Sequence, residues 1–186
     1  SQISRFDRWK DPEGVIAAFK KASEEIDATL VLLGNVATDD PEGDRVYQSL
    51  LDERSDRVII LSQQDSALVN ALQCRSTVVV QKSIREGFGL TVTEAMWKGT
   101  PVIGGNCGGI RNQIADGENG YLVDSVDETA ERIVELVNDP EKAKEMGKAA
   151  KEAVEKRFLL TRLMEEYLDL LGGFETQYLL KQGETT

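Results

Sequence analysis

The chain has 186 residues, of which 40% are hydrophobic and 30% charged, the composition of a globular protein of single-domain size. With a net charge of −11 and no histidine, it disfavours nucleic acid and anionic lipid and excludes histidine triads, histidine metal sites and histidine general bases. Cys74 and Cys107 form no CxxC pair, no apolar run approaches the ~20 residues of a membrane span, and the first ten residues lack a signal-peptide core, so the expectation is a reduced, cytoplasmic protein without a span.

In chain order, residues 2–3 read as the end of a strand whose beginning is cut short. A helix follows over 12–25, with Asp11 as N-cap and Pro12 at its first position. Further strands are expected over 29–33, 57–61, 77–81, 101–103 and 120–123. Helices are expected over 41–53, 65–74, 90–98, 127–138, 141–156 and 161–171. "TVVV" (77–80) is apolar at all but its first position, the pattern of a strand buried on both faces. Strands alternating with helices predict an α/β fold, a doubly wound Rossmann-like parallel sheet. Ligands of such sheets bind beyond the carboxyl ends of the strands, so the loops after Ile3, Leu33, Leu61, Gln81 and Ile103 are those to inspect. The domain is expected to span 1–171, with 172–186 leaving it as an extension after the Gly172-Gly173 break.

The chemistry concentrates in "REGFGL". Gly87 and Gly89 permit unusual dihedrals and close approach, and the N–H groups of Leu90 and Thr91 open the next helix toward an anion. A tight turn with no ligand is the competing reading. Glu94 sits in the second helical turn and leans back toward that anion site, where it could accept from a vicinal diol such as a ribose. Glu86 stands before the glycines, placed for hydroxyls of a second sugar. A phosphate between two polyol-binding carboxylates describes a nucleotide sugar; solvated acidic side chains are the plain alternative. Arg5 and Lys10 follow the first strand and would stabilise the charge of a departing diphosphate, although loop cations are commonly just solvated.

Other features point elsewhere. Asp39, Asp40 and Glu42 lack EF-hand spacing, and Asp40 before Pro41 reads as a helix cap, so no metal site is expected. "GGNCGG" (104–109) is not a dinucleotide fingerprint; a flexible crevice loop and a glycine-packed turn into a short helix over 109–115 fit equally well. Cys107 has no base beside it and is a poor nucleophile candidate. Trp97 reads as core, and Trp9 as a residue that shapes the crevice.

Three stretches together, "SRFDRWKDPEG", "EGFGLTVTEAMWKGTPVIGG" and "GGIRNQIADGENGYLV", resemble the carboxyl-terminal domain of family 4 retaining glycosyltransferases, from the first residues to about Leu171. Glu86 and Glu94 match its Glu-x7-Glu pattern, and Arg5 and Lys10 its Arg-x4-Lys companion. Within the family, "SRFDRWKDP", "DDPEG" and "IREGFGLTVTEAMWKG" are similar to the glycosyltransferring trehalose synthases and to retaining trehalose phosphorylases.

The resemblance implies one half of a two-domain GT-B enzyme that transfers glucose from an NDP-glucose donor, with no cofactor and no metal. Glucose would be the acceptor in a synthase, whereas a phosphorylase would use glucose 1-phosphate. It implies catalytic roles for Arg5, Lys10 and Glu86. Donor-binding roles fall on Glu94, on Gly87, Phe88, Gly89, Leu90 and Thr91, and on Ser62 against the base. The implied partners are the nucleotide sugar and an amino-terminal acceptor domain outside this chain; the fragment alone would then be inactive. Asn112 departs from the family pattern, standing where relatives often carry an acid. A binding module without catalysis is the reading from another class.

Overall fold

A computed structural model describes residues 1–35 and 41–183, with side chains described as far as Gly173. The helix cap expected at Asp40, and Asp39 with it, lie outside the described residues.

Among the described residues, six short strands alternate with helices. They are β1 (Gln2–Ile3), β2 (Leu30–Gly34), β3 (Val58–Ser62), β4 (Val79–Gln81), β5 (Val102–Gly105) and β6 (Tyr121–Val123). The helices are α1 (Pro12–Ala22), α2 (Pro41–Leu51), α3 (Ser66–Arg75), α4 (Leu90–Trp97), α5 (Ile110–Gln113), α6 (Val126–Asn138), α7 (Pro140–Arg157) and α8 (Leu160–Gly183). All named strand pairs are parallel, and they form two ladders, β1-β2-β3 and β4-β5-β6.

The ladders meet along β1 and β4. Val80 N–H donates to Ser1 O at 2.8 Å, the Ser1 amino group donates to Val78 O at 2.9 Å, and Gln81 Nε2 donates to Ile3 O at 2.6 Å. The spatial order is therefore β3-β2-β1-β4-β5-β6, the doubly wound arrangement. Its direction of progression reverses between β1 and β4, where such sheets open a crevice.

Side chains of β4 alternate between two cores. Val78 and Val80 face a cluster built on α1 and α6, with Val15, Ile16, Phe19, Ile133 and Leu136. Val79 faces the other cluster, with Val92, Ala95, Met96, Ile110, Ala150 and Val154 from α4, α5 and α7. Both faces of the sheet are thus covered, which is why the "TVVV" run is apolar throughout.

Several helices are closed by side chains that the sequence presents at their ends. Asp65 caps α3 through Ala67 and Leu68 N–H, at 2.9 and 3.1 Å. Ser125 and Glu128 form a complete capping box on α6, and Asp139 caps α7.

Three expectations need correction. Helix α1 ends at Ala22 rather than Glu25, because Arg57 gathers the carbonyls of Ser23, Ile26 and Ala28 and turns the chain toward β2. Trp97 is not core: it is 40% exposed, with the Lys151 ammonium 5.3 Å from its ring centroid. The expected break at Gly172-Gly173 is absent, since α8 runs through both glycines to Gly183. A glycine pair lowers helix propensity without forbidding a helix.

Candidate active site

Two loops close over the reversal point. The first, between β1 and α1, is organised by Asp7. Its Oδ1 accepts from Trp9 and Lys10 N–H at 2.9 and 3.1 Å and winds Arg8–Lys10 into a 3-10 turn. Its Oδ2 faces Arg5 Nη2 at 3.1 Å. The loop then enters α1 through Asp11, the one non-glycine residue with positive φ (49°) among those described. Such backbone persists only where the surroundings hold it. Here the Asp11 carboxylate caps Gly14 N–H at 3.1 Å and pairs with Lys82 from the loop after β4. Trp9 O also accepts from Ile84 N–H at 2.8 Å, and the Trp9 ring lies within 4.4 Å of the Arg85 guanidinium. Trp9 therefore ties the two loops together, in keeping with the crevice-shaping role expected of it.

The second loop carries the glycines. Gly89 is the N-cap of α4 at φ 89°, a left-handed value that favours glycine, and it offers no side-chain acceptor. The N–H groups of Leu90 and Thr91 therefore open the helix without a cap. Gln113, fully buried, supports the loop from below: Nε2 donates to Phe88 O and Gly89 O, and Oε1 accepts from Thr93 Oγ1 at 2.6 Å. "GGNCGG" backs the same loop as a glycine-packed turn. Gly109 N–H donates to Gly87 O at 2.9 Å, and a Cβ on Gly108 would lie 1.7 Å from Glu86 O. Burial pushes the Cys107 thiol pKa up, and the Glu86 carboxylate adds to the rise; Sγ donates to Ser83 O at 3.1 Å. A thiol held protonated in this way is a poor nucleophile.

Locked together, the loops bring the expected residues to one place. Lys10 Nζ pairs with Glu86 Oε2, both side chains being largely buried (18% and 15% exposed). Arg5, Lys10, Glu86, Gly89, Leu90 and Thr91 line one depression of about 340 Å³, and Phe88 joins them. Gly87 lies on the adjoining depression with Trp9 and Cys107. On the other side a space of about 530 Å³, larger than the first depression, runs toward α3, lined by Asn35, Gln63, Gln64, Asp65, Val69 and Thr91. Arg5 borders all three spaces.

Two expected residues stand slightly apart. Ser62 is the last residue of β3, paired with Gly34, and the lining of the larger space begins one residue later at Gln63. Glu94 lies one turn beyond Thr91 on α4, exposed, and borders none of these spaces directly; its Oε2 accepts from Gln73 Nε2 at 2.8 Å. Sequence reasoning missed Asp7, Gln73, Lys82 and Gln113. Gln73 alone left a usable signal: it shares a face of α3 with Val69 and Leu72, an amide on the inward stripe of an amphipathic helix.

A crevice at the reversal point of a Rossmann-like sheet, with cations and an uncapped helix start beside it, is an arrangement with the chemistry to receive an anion. The chain belongs to the family "Glycosyl transferases group 1", whose model matches residues 2–153. It is 48% identical over 179 residues to the trehalose synthase of Pyrococcus horikoshii, covering 93% of this chain and 43% of that protein. It is 32% identical over 156 residues to the trehalose phosphorylase of Grifola frondosa, covering 74% of this chain and 21% of that protein. The chain thus spans less than half the length of these curated relatives. Its fold matches Anabaena Alr3699/HepE solved with UDP and glucose (TM-score 0.78, 22% identity, 92% of this chain and 48% of that one). Among the described residues no helix is long and apolar enough to cross a membrane.

Proposed function

We propose that this chain is the donor-binding half of a retaining glucosyltransferase of family 4 type, which moves glucose from an NDP-glucose to glucose and forms α,α-trehalose. The observation that carries the reading is the convergence of Arg5, Lys10, Glu86 and the uncapped start of α4 on one depression at the sheet's reversal point. The 48% identity to a trehalose synthase supports the choice of reaction.

In this reading the donor diphosphate lies over the Leu90 and Thr91 N–H groups, where the helix dipole favours negative charge. Cleavage of the glucosyl–phosphate bond leaves an oxocarbenium-like sugar and puts growing charge on the leaving oxygen. Arg5 and Lys10 meet that charge, so the site needs no metal. An ammonium has three donors, and Lys10 can hold Glu86 and the leaving oxygen at once. Glu86, fixed by Lys10 and by the Gly87 N–H that donates to its Oε1 at 3.1 Å, accepts from hydroxyls of the transferred glucose. The ribose faces Glu94, and the base extends toward Gln63 and Gln64. The acceptor is held by a domain outside this chain.

Incubating the full-length protein with glucose and UDP-, ADP- or GDP-glucose should release the nucleoside diphosphate and form trehalose with both anomeric centres α, read by NMR. Failure of all three donors would remove this reading. Phosphate-dependent release of glucose 1-phosphate from trehalose would instead select the phosphorylase, which the similarity to the Grifola enzyme favours as the second reading.

A further inference from the structure

Glu94 and Lys98 are four residues apart around the end of α4, Glu on the N-terminal side, the spacing and order that normally form a helical ion pair. They do not pair. The Gln73 side-chain amide, fully buried, stands between them. Its Nε2 donates to Glu94 Oε2 at 2.8 Å, and its Oε1 accepts from Lys98 Nζ. Thr100 Oγ1 bonds the Gln73 backbone carbonyl at 2.5 Å and fixes α3 against the end of α4. The amide is thus satisfied at both ends and cannot rotate without breaking both contacts.

The position of this network gives it meaning. Gln73 lies one turn beyond Val69 on α3, and Glu94 one turn beyond Thr91 on α4. Val69 and Thr91 both line the larger space. Helical side chains lean toward the N-terminus of their helix, so both lean toward that space. A bare Glu94–Lys98 pair would swing the carboxylate the other way, toward the C-terminal end of α4. We propose that Gln73 is the positioning residue of the donor site. It anchors Oε2 of Glu94, diverts Lys98, and leaves Oε1 to accept from the vicinal 2′ and 3′ hydroxyls of the donor ribose. This rests on the donor reading above.

The test is a ratio. For the full-length protein, kcat/KM is measured with the best donor among UDP-, ADP- and GDP-glucose and with its 2′-deoxyribose form. The ratio is taken within one preparation, so the folded fraction cancels. Glu94→Ala tests the underlying reading and should collapse the preference for ribose. Gln73→Met keeps the volume and removes the amide; it should lower the preference about tenfold, the size of one charge-assisted hydrogen bond, with kcat at saturating donor unchanged. Gln73→Asn, whose amide is too short to span the gap, should do the same and stands in if the methionine variant does not fold. A ratio that falls in Glu94→Ala but not in the Gln73 variants overturns the positioning role alone. A ratio unmoved in Glu94→Ala overturns both the role and the ribose assignment.

Discussion

The cleft has two ends that share Arg5, and they are built from different materials. The end at Lys10 and Glu86 is made of charged side chains gripped between two interlocked loops, with Gly89 and Gly108 packed against Glu86. The end toward α3 is lined by neutral amides, one capping aspartate, backbone and a few apolar side chains. Charge fixed in a largely buried place acts on charge that develops in a reaction. Amides and open space recognise shape with small individual energies. Under the proposed function the contrast puts the chemistry at one end and donor selection at the other, and it can be broken from either side.

The largest effect is expected at Lys10. In full-length protein, Lys10→Ala should lower kcat by about 10²–10³-fold in steady-state assays, because it removes a cation at the leaving group and strands Glu86. An effect confined to KM would move the chemistry away from this end. Next comes the backbone behind Glu86. Gly108 has φ 46°, and an added Cβ meets Glu86 O, so Gly108→Ala should cost about 2–3 kcal/mol in urea unfolding and displace the carboxylate. At the other end Gln63→Ala should raise KM for the donor by about threefold and leave kcat unchanged, the effect of one neutral hydrogen bond.

The smallest effect on activity is expected away from both ends, at Glu135. Burial raises the pKa of that carboxyl, but hydrogen bonds from Lys142, Arg132 and Tyr121 outweigh it and hold the group at about 2 against an ordinary 4.5. A depressed carboxyl stabilises the fold above its unfolded pKa and loses that contribution as pH falls from about 4.5 toward 2. Thermal melts should therefore show Glu135→Gln less stable than the parent at pH 7, with the gap narrowing by pH 3, and with donor kinetics at pH 7 unchanged.

The same division governs what the sequence made legible. Period-2 and period-3.6 patterns located each described strand within two residues, but alternation gave only a parallel sheet; the reversal between β1 and β4 rests on contacts between Ser1, Ile3, Val78, Val80 and Gln81 that only the fold supplies. Arg5, Lys10, Glu86 and the glycines stood out because charge and glycine are costly to hold in a closed place and mark it when they occur in order. Gln113 did not stand out, since an amide in a helix reads as surface until its partner, 25 positions away, is known, and Gln73 showed only its inward face, not the partner 21 positions away. Asp7 was hidden for the same reason: its task is to hold backbone that only the folded loop presents. The continuation of α8 through Gly172 and Gly173 shows the limit of local propensity, which weights a helix end without deciding it.

The pairing of Lys10 with Glu86 also bears on how the crevice meets an ion from solution. Its cation already has a counter-ion inside the protein, and Arg5 has Asp7 nearby, so the crevice floor projects little positive field outward. What a dianion feels at a distance is the chain's net −11, which repels it. Moderate electrolyte, with a Debye length of about 8 Å, damps that repulsion while leaving contacts of hydrogen-bond length almost untouched. Capture of a doubly charged ligand by this acidic molecule should therefore quicken as ionic strength rises from very low values, opposite in sign to a site made of bare cations.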